Sequence, residues 1–243
     1  TGIGNRGMHY VDQATDFVTE LTVDVSENIE LRLGTQVNKF YGTDIGRYYL
    51  DYAGLASNIY YDTPFGSEDG LYAMSATTVV EYDNHYEKVD MVAQFSNLMQ
   101  LKGGSVDALL GYERFNNNYS AQYDKHSEGG YVGGSAGNSG KGVREVDSFF
   151  GEIIFPVRDG IELNASFRSD DYSDVGSSES FKFGALINVL TGTTLKINYG
   201  EGFRAPGMDT LYGVTTFSAN TAYDYKACAN AGQTTTECAP KQI

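Results

Sequence analysis

Residues 161–206 read IELNASFRSDDYSDVGSSESFKFGALINVLTGTTLKINYGEGFRAP. Three segments in this stretch alternate apolar and polar residues. In the first, Ile161, Leu163, Ala165 and Phe167 alternate with Glu162, Asn164 and Ser166. In the second, Phe181, Phe183, Ala185, Ile187 and Val189 alternate with Lys182, Gly184, Leu186 and Asn188. In the third, Leu195, Ile197 and Tyr199 flank Lys196 and Asn198. A period of two sends successive side chains to opposite faces of a strand. A helix needs apolar residues three and four apart, and these segments lack them. One break between the segments, 169–180, is polar and acidic. The other is a tight Thr191-Gly192-Thr193. One-sided strands joined by short turns at one end and longer polar loops at the other are the sequence pattern of a transmembrane β-barrel.

The same pattern extends outward as eight strands in four pairs. The pairs are 17–25 with 29–41, 87–101 with 105–117, 145–157 with 161–168, and 181–190 with 194–203. Within each pair the connection is tight: Ser26-Glu27-Asn28, Lys102-Gly103-Gly104, Arg158-Asp159-Gly160 and Thr191-Gly192-Thr193. If those four turns share one side of a membrane, parity puts the connections at about 42–86, 118–144 and 169–180, and the tail 205–243, on the other. Leu71–Tyr82, ambiguous between helix and strand, is expected in the outer loop, because a crossing there breaks parity. One face is expected to carry Glu152, Glu162, Arg168, Lys182, Lys196 and Asn198, with Glu162 able to pair with Lys182. The other face carries Phe149, Ile153, Phe155, Leu163, Phe167, Phe181, Phe183, Ile187 and Ile197, with Tyr41, Tyr112 and Tyr199 suited to interfacial girdles.

Composition narrows the function. The 243 residues have a net charge of −15, which argues against nucleic-acid binding, where phosphates must be neutralised. Tyr (19), Phe (13) and Gly (29) are abundant and Trp is absent. No apolar run is long enough for a spanning helix, which leaves a barrel open. The N-terminus has no basic and apolar leader, so a signal peptide has been removed or the chain is an internal piece. Cys228 and Cys238 are the two cysteines; the segment between them has no metal-ligand character, and two thiolates alone are a poor zinc site. In an exported chain the pair favours a local disulfide; in a reducing compartment both stay thiols.

No catalytic constellation is present, so an enzyme is not expected, and no cofactor or metal is called for. His9, His85 and His126 lie apart in separate segments. The Gly-rich run 133–142 lacks the first Gly and the Ser/Thr of a phosphate loop. Asp170, Asp171 and Asp174 lack the spacing and bidentate Glu of a calcium loop.

Several motifs add a family. Gly200-Glu-Gly-Phe203-Arg204-Ala205-Pro206, followed by Leu211-Tyr212, resembles a strand-end motif of TonB-dependent outer-membrane receptors. Arg168-Ser-Asp-Asp171-Tyr172-Ser173-Asp-Val-Gly176, Glu152-Ile-Ile-Phe-Pro156 and Gly111-Tyr-Glu113-Arg114 resemble other motifs of that family, in the family's order. A cysteine pair in the loop after the Phe-Arg-Ala-Pro strand also recurs there. The resemblance implies an all-β fold: an antiparallel panel of about eight strands from a 22-stranded barrel in the outer membrane of a Gram-negative bacterium. Residues 1–243 would be part of that barrel domain, without the plug and TonB box through which the TonB complex acts. The implied function is TonB-energised uptake of a siderophore, cobalamin or oligosaccharide, with outer-membrane lipid around the wall. Tyr60, Tyr61 and Tyr131 are the loop aromatics able to stack on a small-molecule or oligosaccharide ligand. Alternatives are a complete small barrel with a structural or adhesion role, a barrel lipase or protease, and a soluble β-sandwich binding module.

Overall fold

The computed structural model describes residues 6–60, 64, 66–134 and 137–215, and 221–222, 228, 230–232, 234 and 241–242 of the tail. Its body is one antiparallel sheet. The elements in chain order are β1 (Gly7–Ser26), β2 (Ile29–Asp51), α1 (Tyr52–Tyr60), α2 (Glu68–Ala73), β3 (Ser75–Leu101) and β4 (Gly104–Tyr123). There follow α3 (Lys125–Glu128), β5 (Val132–Gly133), β6 (Gly140–Arg158), β7 (Ile161–Tyr172), β8 (Gly176–Leu190), β9 (Thr193–Gly200) and α4 (Met208–Tyr212). The two-residue strands β10 (Thr221–Ala222) and β11 (Lys241–Gln242) pair with each other. The main sheet runs β1-β2-β3-β4-β6-β7-β8-β9, with β5 on β2. It does not close: β1 and β9 are its free edges.

The four short turns lie between β1 and β2, β3 and β4, β6 and β7, and β8 and β9, all at one end. Gly160 and Gly192 sit in two of them at φ 75° and 80°, a region open to glycine. At the opposite end, 52–74 and 124–139 carry the helices and β5.

Register fixes the faces. Leu33, Met91, Tyr112 and Phe149 occupy one cross-strand row, and Leu31, Ala93, Leu110, Gly151, Phe167 and Phe181 the next. Phe149, Leu110, Phe183 and Ile197 are all more than half exposed, so nothing among the described residues packs over them. Each spanning strand contributes about four outward apolar residues, close to the ~25 Å band of an outer-membrane barrel. The opposite face carries Glu152, Glu162, Arg168, Lys182, Lys196 and Asn198, as alternation predicts.

Three expectations change. First, the strands run further outward than their alternation. Residues 42–51 extend β2 and 75–86 extend β3; 118–123 and 140–144 likewise belong to β4 and β6. Leu71–Tyr82 is α2 followed by the start of β3, which is one continuous strand, so parity holds. Ladder pairing continues outward of the apolar band, but there Ala76, Thr78 and Val80 are buried on the opposite face, and the outward apolar period fades. β3 has 27 residues where crossing needs roughly 9–11. Second, the connection at 169–180 is a tight turn between Tyr172 and Gly176, the latter at φ 83°. Third, Glu162 stands opposite Leu186, and Lys182 opposite Ser166. Four residues of offset, about 13 Å, separate the expected ion pair.

The apolar face generates a contrast. Ile153→Lys should destabilise the full-length protein by about 2–4 kcal/mol, the cost of a lysine deep in a lipid-facing band. Glu152→Gln, one residue along and facing the other way, should change stability by less than about 1 kcal/mol. Urea unfolding in lipid vesicles, read by heat-modifiable gel migration, checks both.

Candidate functional site

The outer end of the sheet is assembled from capped local structures. Asp51 Oδ1 accepts the backbone N–H groups of Ala53 (2.8 Å) and Gly54 (3.3 Å), starting α1. Ser67 caps α2. A Cβ at Gly54 would collide with the Ala73 carbonyl, so glycine is what lets α1 and α2 approach. Asp124 starts α3 by accepting from His126 N and Ser127 N, both at 3.0 Å, and it also holds Val79 N at 2.9 Å. Burial works to raise the Asp124 pKa, yet these hydrogen bonds prevail and hold it below its usual value. β5 then pairs Leu50 and Asp51 of β2, and Tyr52 N donates to Tyr131 O at 2.8 Å. The connections 52–74 and 124–139 are thereby joined across the top of β2–β4.

A second assembly gathers the motif residues. Segment 201–214 leaves β9, passes the short β7–β8 hairpin and settles on the taller β6. Gly213 bridges Gly140, and Val214 N donates to Ser139 O at 2.8 Å. A Cβ on Gly142 would run into the Tyr212 ring, and Gly142 shares the polar face with Arg144 and Ser148, so α4 rests on the polar side of the wall. At the centre is Arg144, 8% exposed. Its Nε donates to Asp174 Oδ2 (2.8 Å) and Oδ1 (3.0 Å), and Nη2 to the Pro206 carbonyl (3.0 Å). Its guanidinium also lies over the Tyr172 ring, 5.7 Å from the centroid. Tyr172 meets Phe203 at 5.7 Å between ring centroids. Ser173 Oγ accepts from Glu145 N, and Tyr212 donates to Asp174 and to the Val143 carbonyl. Burial, then the hydrogen bond to Asp174, pushes the Tyr212 hydroxyl pKa up.

Tyr172, Ser173, Phe203 and Pro206 thus meet at one place. Ala205 lies between them in sequence, half-buried. Arg204 is exposed and makes no ion pair among the described residues, and Asp171 faces the other side, accepting from Ser177 Oγ at 2.7 Å. The three aspartates split in the same way: Asp170 holds Arg168, Asp171 holds Ser177 and Asp174 holds Arg144. Among the described residues no group of three metal-ligating side chains forms. Tyr131 is exposed, its ring 6.3 Å from that of His126. Tyr60 ends α1; Tyr61 lies outside the described residues. Cys228 is buried and not free, and Cys238 lies outside the described residues. Sequence reasoning missed Arg144 and Tyr212 as partners. The available signal was parity, since Arg144 is an even-numbered residue on the face of Ser148 and Glu152.

Nearer the apolar band, the polar face carries a linked set of charges. Arg168 Nη2 donates to Glu113 Oε1 (3.0 Å) and Ser148 Oγ (2.9 Å), and Nε to Asp170 Oδ1 (2.8 Å). Lys88 lies 3.1 Å from Asp90 and 3.6 Å from Glu113. Four strands are tied together by pairing that leaves no cation in this set unsatisfied.

The family model described as "TonB dependent receptor-like, beta-barrel" matches residues 2–234. No curated protein matches this chain. Among the solved structures similar to it are "Structure of the RagAB peptide importer in the 'closed-closed' state" at 13% identity and "Structure of the RagAB peptide transporter" at 12%. Each comparison has a TM-score of 0.55 and covers 98% of this chain and 26% of the other. The chain therefore spans about a quarter of those neighbours' length and shares their fold.

Arg144→Ala should release segment 205–214, because it leaves the Asp174 carboxylate buried without its counter-charge, at a cost of roughly 3–5 kcal/mol. Limited proteolysis of the full-length receptor should then cut within 205–214 at protease concentrations that spare the wild type. The α3 cap should also be pH-dependent. The pKa of Asp124 is lower in the fold than in the unfolded chain. Its contribution is therefore complete above the usual carboxylate range and lost as pH falls through the lowered value. Hydrogen exchange across 124–133 should rise on acidification in the wild type, and Asp124→Asn should flatten that dependence.

Proposed function

The chain belongs to the TonB dependent receptor-like β-barrel family, and from that premise we propose that it forms one panel of a larger outer-membrane barrel that imports a nutrient by TonB-energised transport. The family is one of outer-membrane transport receptors in Gram-negative bacteria. The observation that carries the reading is the open sheet with one exposed apolar face. β1 is exposed along its whole length and β9 likewise, so both flanks present unpaired backbone groups. Hydrocarbon cannot satisfy those groups, and further strands must. The panel supplies wall, outer connections and part of the ligand vestibule. TonB acts through a plug and TonB box that belong to other parts of such a receptor.

The substrate is a scarce solute of the siderophore, cobalamin or oligosaccharide class. The solved neighbours are described as importing peptides, which adds peptide to that set. Tyr131, and Tyr60 and Tyr61 in the neighbouring connection, are proposed ligand-facing aromatics, and Cys228–Cys238 a proposed local disulfide in the outer tail. No catalytic role is proposed for any residue.

Uptake should be measured in cells producing the full-length receptor, with and without TonB, and with and without a protonophore. Binding at the cell surface should persist in all four conditions, whereas accumulation should fall to background without TonB or the proton gradient. Accumulation that continues in both cases contradicts the proposal.

A further inference from the structure

Above the apolar band, the polar face of β2, β3 and β4 carries a patch that none of the motifs accounts for. Register places Phe40, Asn84 and Tyr119 in one cross-strand row. Asn38, Tyr86 and Asn117 form the row below, and Tyr82 stands above Asn84 on β3. Neighbouring strands are ~4.8 Å apart, and residues two apart on one face are ~6.6 Å apart. Aromatic and carboxamide side chains therefore interleave over an area about 10 Å by 13 Å. The Tyr86 ring lies 5.5 Å from that of Phe115, which holds it from below. The strap 201–214 bounds one side, with the Tyr212 ring over Gly142, the next residue along the Phe40 row.

We infer that this patch is a binding wall for an uncharged oligosaccharide. The inference rests on the uptake reading and names the substrate class. Two features select the ligand. The first is charge. The nearest cations are already held, Lys88 by Asp90 and Glu113, and Arg144 by Asp174. Asp12, Asp16 and Asp44 flank the patch on the same face. An anionic ligand meets repulsion there, and neither Lys88 nor Arg144 is free to offset it. The flanking carboxylates are also partly engaged: Asp16 accepts from Gln36 at 3.2 Å, and Asp44 lies beside Tyr82. That weakens the case for a cationic peptide.

The second feature is the mixture of surfaces. A sugar ring has an apolar C–H face and a rim of hydroxyls. Tyrosine and phenylalanine rings offer flat apolar area at small entropic cost. A carboxamide offers a donor and an acceptor side by side, which suits neighbouring hydroxyls. Asn84 Oδ1, at the centre, is buried and has no hydrogen-bond partner among the described residues, so it is an unmet acceptor that a ligand hydroxyl could satisfy once the rings beside it part. A peptide's own hydrogen-bonding groups call instead for a sheet edge, and β3 and β4 have none free here.

The test uses the purified full-length receptor in detergent and calorimetric titration. The probes are linear neutral glucan, mannan and xylan oligosaccharides, and a mixed cationic oligopeptide. At least one oligosaccharide series should bind, and the peptide should not. Tyr86→Ala and Tyr119→Ala should each weaken that binding by about tenfold, and Tyr86→Phe should leave it nearly unchanged. Each variant must keep heat-modifiable migration; where an aromatic variant fails to fold, Asn84→Ala takes its place, with the same weakening expected. Binding of peptide alone, binding of no oligosaccharide, or wild-type affinity in the alanine variants overturns the inference. The two readings fail separately. TonB-dependent import of a peptide keeps the uptake reading and removes the oligosaccharide. Sugar binding that depends on Tyr86, without energised import, does the reverse.

Discussion

Hydrocarbon offers a backbone amide nothing to bond to, and this constraint orders the whole chain. Each spanning strand needs a partner on both sides, so the turns are short where neighbours are adjacent and the sheet is strictly antiparallel. Each side chain that meets lipid must be apolar, so every second residue is. The face turned from lipid is then free to carry polar groups, and it does: Lys88, Glu113, Arg168 and Asp170 sit behind the band formed by Val89, Met91, Tyr112 and Phe149. They neutralise one another across four strands, which is what permits charge at that depth.

Outside the band the constraint lapses and a different order takes over. β2, β3, β4 and β6 continue outward as paired strands, while β7 and β8 stop at a tight turn. The difference in height leaves the upper edge of β6 open, and segment 201–214 fills it. Arg144 is central because it serves three elements at once: its own strand, the β7–β8 turn through Asp174, and the crossing segment through the Pro206 carbonyl. The motif around Phe203 to Pro206 is in this sense a corner, turning the chain from the end of β9 back over the wall.

How much of this was legible in the sequence follows from the same physics. The segments inside the band were readable because lipid enforces alternation: Ile161–Phe167 keeps it without exception, and Phe181–Val189 departs from it only at Leu186. The four turns were readable from Gly and Asn at positions between alternating runs. The outer halves of β2 and β3 were not, because lipid no longer enforces alternation there: Ala76, Thr78 and Val80 are buried on the face opposite the band, and adjacent Val79 and Val80 put apolar side chains on both faces. Cross-strand partners were unreadable in detail. Glu162 and Lys182 share a face, but the register between their strands is set by the turn at 173–175. The same limit hid the pairing of Arg144 with Asp174, 30 residues away. The motif residues were visible as a resemblance; that Tyr172 and Phe203 touch was not.

The central claim is that the odd-numbered face of β7 is turned to lipid. It is tested most directly by single spin labels placed in turn at positions 161 to 168 of the full-length receptor in lipid vesicles, with relaxation by oxygen compared with that by a polar nickel complex. The account predicts strict alternation, with oxygen dominant at 161, 163, 165 and 167 and the nickel complex dominant at 162, 164, 166 and 168. A flat profile, or oxygen dominance at the even positions, would contradict it.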